Sequence, residues 1–366
     1  MKTSRCSRAP GAGATRGFVL VAVLVALTVI SMLAAAVAVV SARAVAEAQA
    51  DADAFQAEID AIGTRDTVLY LLATQRQTIG GLTVDRQVVY TAGQATASPQ
   101  GRDEFGAPVS RLPIGNEIRL DATPYVGLGR VGFALQDDGG LASINWTSQL
   151  FRPGMLRMLG APPDRWNAME AARLDYQDPD SLYRLGGAEA EQYRERGLPP
   201  PSNRALATPL EARRILGWGE ALEGMDDARL MRLLTLSRSV AININTATVE
   251  SLQVVPGVDR ALAERIVALR EATPFLLGWR FIREFGLPLD EMAPISLAAN
   301  GYGTLALWHN AGPRHVVHWT LTPMDAGGRP WRLDYEITLP RDDVTDSSLA
   351  RPTASPLLPG PAAAGR

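Results

Sequence analysis

Carboxylates crowd one stretch of this chain. Asp175, Asp178 and Asp180 are followed, after the Gly186-Gly187 pair, by Glu189 and Glu191, and Pro200-Pro201-Ser202-Asn203 closes the stretch. Hard oxygen donors on a Gly- and Pro-rich loop are what a calcium ion uses, because it accepts many oxygens in a flexible shell. The spacing is not that of an EF-hand. The five acids are therefore candidate calcium ligands, set against a second reading in which they are a solvated loop whose Asp side chains cap turns and helices. The three histidines, His309, His315 and His318, also fall together. His315-Val316-Val317-His318-Trp319 reads as a strand, on which side chains three apart face opposite ways, so hydrogen-bonded or solvated histidines are expected rather than a shared metal.

Composition removes other chemistries. Cys6 is the only cysteine and Lys2 the only lysine. The chain beyond its first residues thus has no disulfide, thiol nucleophile, phosphate-binding Walker lysine or Schiff-base amine. Acidic pairs abound, but nothing converges on a nucleophile, a base and an orienting group, so no enzyme is expected. A net charge of −3 gives no general basic surface for nucleic acid.

The elements that must carry the loop begin with a basic leader holding Lys2, Arg5, Arg8 and Arg16 without one acid, followed at Arg16-Gly17-Phe18 by an uncharged apolar run to Val40. Rising about 1.5 Å per residue, a helix over that run crosses about 30 Å of hydrocarbon. The basic leader holds its end on the cytoplasmic side while the bulk translocates. Ala34 to Ala36 lie inside the run and no small-residue cleavage site follows it, so cutting at Gly17 would keep the helix.

Basic leader, Gly17, Phe18 and a long apolar helix resemble a type IV prepilin signal, which implies a peptidase cut after Gly17 and methylation of Phe18. Most pilins and pseudopilins carry Glu at the fifth mature position, whereas this chain has Ala22. A carboxylate in lipid is costly without a cationic partner, which in those families is thought to be the N-terminal amine of an adjoining subunit. Its absence, with the chain's 366 residues, resembles the general secretion pathway protein K family, minor pseudopilins at the tip of the type II secretion pseudopilus. Gly139-Gly140 leading to Asn145-Trp146 and the acidic loop are similar to segments of that family. The resemblance implies calcium at the loop as the one cofactor in view.

Ile242-Asn243-Ile244-Asn245-Thr246-Ala247, then Val255-Pro256-Gly257-Val258-Asp259 and Leu262-Ala263-Glu264-Arg265-Ile266 read as helix, tight turn, helix, with Asn245 or Thr246 as the first cap. This resembles a helix-hairpin-helix, or SAM-like, unit at 242–275. Nucleic-acid readers of that type usually place a second Gly where Asp259 stands, and from Glu250 to Glu271 four acids outnumber three Arg. A DNA role is not expected.

The fold class expected is α+β: an N-terminal transmembrane and stem helix, and a pilin-like antiparallel sheet with a large, mostly helical insertion containing the hairpin unit. The divisions are a cleaved leader at 1–17, a transmembrane helix at 18–40, an amphipathic stem at 41–80 using Phe55, Ile59, Ile62, Leu69 and Leu72, a sheet core at 81–146 and 301–340, an insertion at 147–300, and a disordered tail at 341–366. Strands are expected at Thr83-Tyr90, Glu117-Thr123, Val131-Gln136, Thr304-Trp308, His315-Leu321 and Trp331-Leu339, with a hairpin turn at Asp325-Gly328. The resemblance implies a single-pass bacterial inner-membrane protein with a periplasmic head, without catalytic residues. Its partners would be other minor pseudopilins, the prepilin peptidase and exported proteins, with no nucleic acid. The alternatives are a minor pilin of a type IV pilus and a membrane-anchored helix-hairpin-helix DNA-binding protein.

Overall fold

The structure, a computed structural model, describes residues 16–83, 111–309, 312–322 and 328–340, together with Thr353 and Leu358. Leader residues 1–15, the strand expected over 84–90, the turn at 325–327 and the rest of the tail lie outside the described residues. The chain divides into two compact units, Met1–Glu58 and Ile59–Arg366.

One helix, α1 (Arg16–Thr74), runs through the apolar segment and on into the second unit. It is the one helix among the described residues long and apolar enough to cross a membrane. Its side chains from Phe18 to Val40 are exposed, as expected of a surface that lipid would solvate. The stem differs from expectation in two ways. Of the five residues expected to pack, only Leu69 and Leu72 are buried, joined by Val68, while Phe55, Ile59 and Ile62 stay exposed. The helix also stops at Thr74 instead of fraying at Gly80. A small hairpin of β1 (Gln77–Thr78) and β2 (Gly81–Leu82) follows, its return made at Gly81, whose φ of +137° suits only glycine.

The sheet is antiparallel and five-stranded. Its strands are β3 (Asp121–Val126), β4 (Val131–Asp137), β9 (Tyr302–His309), β10 (Arg314–Leu321) and β11 (Trp331–Leu339), in the order β11-β10-β9-β4-β3. β4 is buried along its whole length. Val131, Phe133 and Leu135 join Val68, Leu69 and Leu72 of α1 in one core. The alternate residue Gln136 turns the other way and donates from Nε2 to Thr246 O at 3.0 Å. Two-sided burial explains why this strand, alone in the sheet, is buried at every position.

Between the neighbouring strands β4 and β9 the chain leaves the sheet for residues 138–301. This insertion holds β5 (Ala142–Ser143), α2 (Arg152–Met158), α3 (Trp166–Gln177), α4 (Ala190–Glu195), α5 (Trp218–Ala221), α6 (Asp227–Leu233), β6 (Leu234–Thr235), β7 (Ile242–Asn243), α7 (Val249–Leu252), α8 (Arg260–Ala272), α9 (Gly278–Glu284) and β8 (Ile295–Ser296). Two short parallel pairs, β5 with β6 and β7 with β8, tie it together. It has its own core, in which Trp218, Tyr193, Ile144, Met155 and Ile266 are fully buried. The segment 141–146, expected in the sheet core, belongs here instead, because Ala142 and Ile144 pack into the insertion's cluster. A smaller cluster of Ala228 and Met231 against Val316 and Leu339 seats α6 on the sheet. The fold is thus the α+β, pilin-like class with a helix-rich insertion.

The tail is not free at either described position. Thr353 accepts from Val126 N–H and donates to Pro124 O beside β3, and Leu358 is buried in the sheet core. This corrects the expectation of disorder at those two residues, whose apolar and backbone groups find partners on the edge of the sheet.

Candidate functional site

The acidic loop leaves α3 at Asp178 and re-enters helix at α4. Asp178, Asp180 and Glu189 come together, with one carboxylate oxygen of each within 4.8 Å of the others. Asp175 and Glu191 fall outside that group. Asp175 is fully buried and accepts from Arg184 Nη1 at 2.6 Å and from Ala188 N–H at 2.9 Å, so its oxygens are spent on holding the loop. Glu191 pairs with Arg194 at 3.2 Å on the exposed face of α4.

Arg184, which sequence reasoning passed over, bridges Asp175 and Asp178. It leaves Asp178 Oδ1 and Glu189 Oε1 shielded from solvent without a hydrogen-bond donor. Burial and then the nearby Asp175, Asp178 and Asp180 charges push the Glu189 carboxyl above its ordinary value. Orphaned, mutually repelling oxygens on a polar loop fit a hard divalent cation, which would neutralise the repulsion that now raises Glu189.

At the other end of the chain, α1 begins at Arg16 and has no acid in its first turn. Phe18 is 78% exposed, Ala22 is exposed, and the first carboxylate in the sequence is Glu47.

The hairpin unit consists of α7 and α8 joined through Gly257, at φ +85°. Its caps differ from expectation: Thr248, not Asn245 or Thr246, caps α7 by accepting from Ser251 N–H at 3.0 Å. Asn245 instead braces the unit from behind, donating to Phe275 O and Leu297 O and accepting Phe275 N–H. Asp259 caps α8, accepting Leu262 N–H at 2.8 Å. Its carboxylate therefore occupies the N-terminal position at which a phosphate would bind. Arg270, nearly buried, donates to Ile244 O and Ala247 O and lies 3.7 Å from Asp121, linking the hairpin to the sheet.

Sequence reasoning missed a polar seam between insertion and sheet. Asp137, fully buried, accepts from Asn300 N–H, Thr246 Oγ1 and Asn243 Nδ2. Burial outweighs these bonds and pushes its carboxyl up to about 6. His318 lies between Asp138 at 3.0 Å from Nε2 and Asp334 at 2.8 Å from Nδ1, with Tyr335 stacked on its ring at 4.8 Å. Burial alone would lower its pKa, but the two carboxylates win and raise it to about 9. Both ring nitrogens are taken by carboxylates, so His318 has none open to a metal or to a substrate proton, and the trio acts as an ionic bridge of one cation between two carboxylates. His315 turns to Thr338 instead. The signal for the seam was faint: Asp137-Asp138 precede the Gly139-Gly140 pair, but their partners are distant in sequence.

The helix-hairpin-helix motif family matches residues 237–275. No curated protein matches the chain. Among solved structures, a chain of the GspK-GspI-GspJ complex from the enterotoxigenic Escherichia coli type 2 secretion system is similar at 16% identity. That match covers 80% of this chain and 99% of the other, with a TM-score of 0.44.

Proposed function

We propose that this protein is a minor pseudopilin of a type II secretion system, anchored by α1 in the bacterial inner membrane with its folded part in the periplasm. In this reading the prepilin peptidase cuts between Gly17 and Phe18, and the new helix end packs among other minor pseudopilins. Ala22 biases the subunit to the tip, where no preceding neighbour needs a carboxylate. The observation that carries the reading is a helix whose membrane-length apolar stretch follows directly on the Gly17-Phe18 junction, with no acid until Glu47. The insertion with its hairpin unit favours this over a type IV pilus minor pilin. The Asp259 cap disfavours the DNA-binding alternative.

Asp178, Asp180 and Glu189 would hold a calcium ion, whose charge locks the loop; Asp175 and Arg184 position it, and Glu191 stays outside. The protein's work is assembly and export, without catalysis. The test is the intact mass and N-terminal sequence of protein purified from membranes. The expected product starts at methylated Phe18. A retained Met1, or loss of the apolar helix, overturns the reading.

A further inference from the structure

We propose that a cavity beside the Asp178–Gly187 loop is a docking site for an extended protein segment that presents one large apolar side chain next to a carboxylate. The cavity, about 290 Å³, opens between α3 and the loop. Its inner lining includes Met169 and Ala172, which are buried, and the half-buried Leu216. The volume lies at the lower limit of small-ligand pockets, which begin at about 300 Å³. It suits a single aromatic or branched aliphatic side chain.

The outer lining selects the neighbour of that side chain. Arg165 is satisfied by Glu220 at 2.9 Å. Arg196 is exposed and its guanidinium has no partner among the described residues. The rim therefore holds one uncompensated positive charge, to which a carboxylate on the segment is complementary.

One side of this opening is apolar. Tyr183, at 53% exposure, lines it, and on the same loop Leu182 is 75% and Leu185 97% exposed. A buried apolar floor of Met169 and Ala172 beneath a mostly polar rim lets a single anchor side chain bury its apolar part while the rim reads its neighbour. A lipid surface offers no single side chain for a concave pocket, which is why the occupant is a protein segment. The loop is held at its base by the Asp175–Arg184 contacts, so the pocket wall is preformed. The proposal deepens the pseudopilin reading by giving a tip subunit a surface for a client, and it rests on that reading only for the client's origin.

The experiment selects a displayed random peptide library on the full chain in detergent. Enriched peptides are expected to share Phe, Trp, Leu or Met beside Asp or Glu. A fluorescent peptide made from the selected sequence should bind about tenfold more weakly, or worse, to Ala168→Phe, which fills the cavity from its exposed side. Arg196→Glu should exchange the preference from Asp or Glu to Lys or Arg, and it carries the test alone if Ala168→Phe does not fold. No shared motif, or an affinity that both substitutions leave unmoved, overturns the proposal.

Because Cys6 precedes the expected cut, Leu185→Cys would be the sole thiol of a processed chain. Disulfide-linked chains through it would assign the face to a second copy. A blue shift of an environment-sensitive dye on it in anionic nanodiscs without peptide would assign it to lipid. Either result overturns the proposal. The N-terminal sequence separates the two ideas: peptide binding with Met1 retained removes the pseudopilin reading alone, and a processed chain without peptide preference removes the docking site alone.

Discussion

At the residue scale, five similar acids play different parts because of what surrounds each one. Asp175 is a buried structural anchor, Glu191 is a surface partner of Arg194, and Asp178, Asp180 and Glu189 share oxygens that lack donors or repel one another. Calcium should raise the unfolding midpoint of the full chain in detergent, by about 2.7 kcal/mol at a hundredfold excess over Kd, and chelation should reverse the shift. Glu189→Gln should remove most of this response, while Glu191→Gln should leave it intact. Equal responses in the two variants would argue against the grouping. Since burial and neighbouring acids hold the Glu189 carboxyl above its usual value, calcium binding should weaken, as pH falls, sooner than for an ordinary carboxylate.

Elements owe their positions to contacts of different visibility. Thr248 and Asp259 cap α7 and α8 locally, and Thr248→Ala should cost about 1 kcal/mol in denaturant unfolding. Arg270 is a longer-range brace. Arg270→Leu leaves Asp121 with Arg119 as its remaining cation and strands two carbonyls, so a larger loss of about 3 kcal/mol is expected. A double-mutant cycle with Asp121→Asn should show coupling, and strictly additive losses would contradict the brace.

The same division explains what was legible in the sequence. Alternation gave β10 and β11 nearly to their ends, and the turn at Gly257 marked the hairpin, because those signals lie within a few residues. The expected stop of α1 near Gly80 was late by a turn and more, since Gly81 serves a hairpin and not a helix end. Segment 141–146 joins the insertion's core through Leu234–Thr235, a partner too far along the chain for local alternation to reveal. Of the loop acids, sequence alone could not separate Asp175 from Asp178, because the separation depends on where Arg184 reaches.

At the scale of the whole molecule, the seam between insertion and sheet should govern how stability depends on pH. The folded-state pKa of Asp137 is raised to about 6, so the folded protein holds that proton more tightly than the unfolded chain does. Stability on this account falls as pH rises from the ordinary carboxylate range to about 6, by about 3 kcal/mol. His318 is raised to about 9 from 6.5, so its contribution is complete below 6.5 and disappears as pH climbs through 9, again by about 3 kcal/mol. Asp334 acts in the opposite direction: burial would raise it, but bonds from His318, Thr320 and Arg332 lower it, so its contribution is lost as pH falls below the ordinary carboxylate range. Together these place the maximum stability of the full chain near pH 4, with two separate declines above it, one up to about pH 6 and one up to about pH 9. Unfolding midpoints measured across pH should show Asp137→Asn flattening the first decline and His318→Gln the second. A wild-type curve level from pH 5 to 10 would show that the seam does not hold insertion to sheet through these charges.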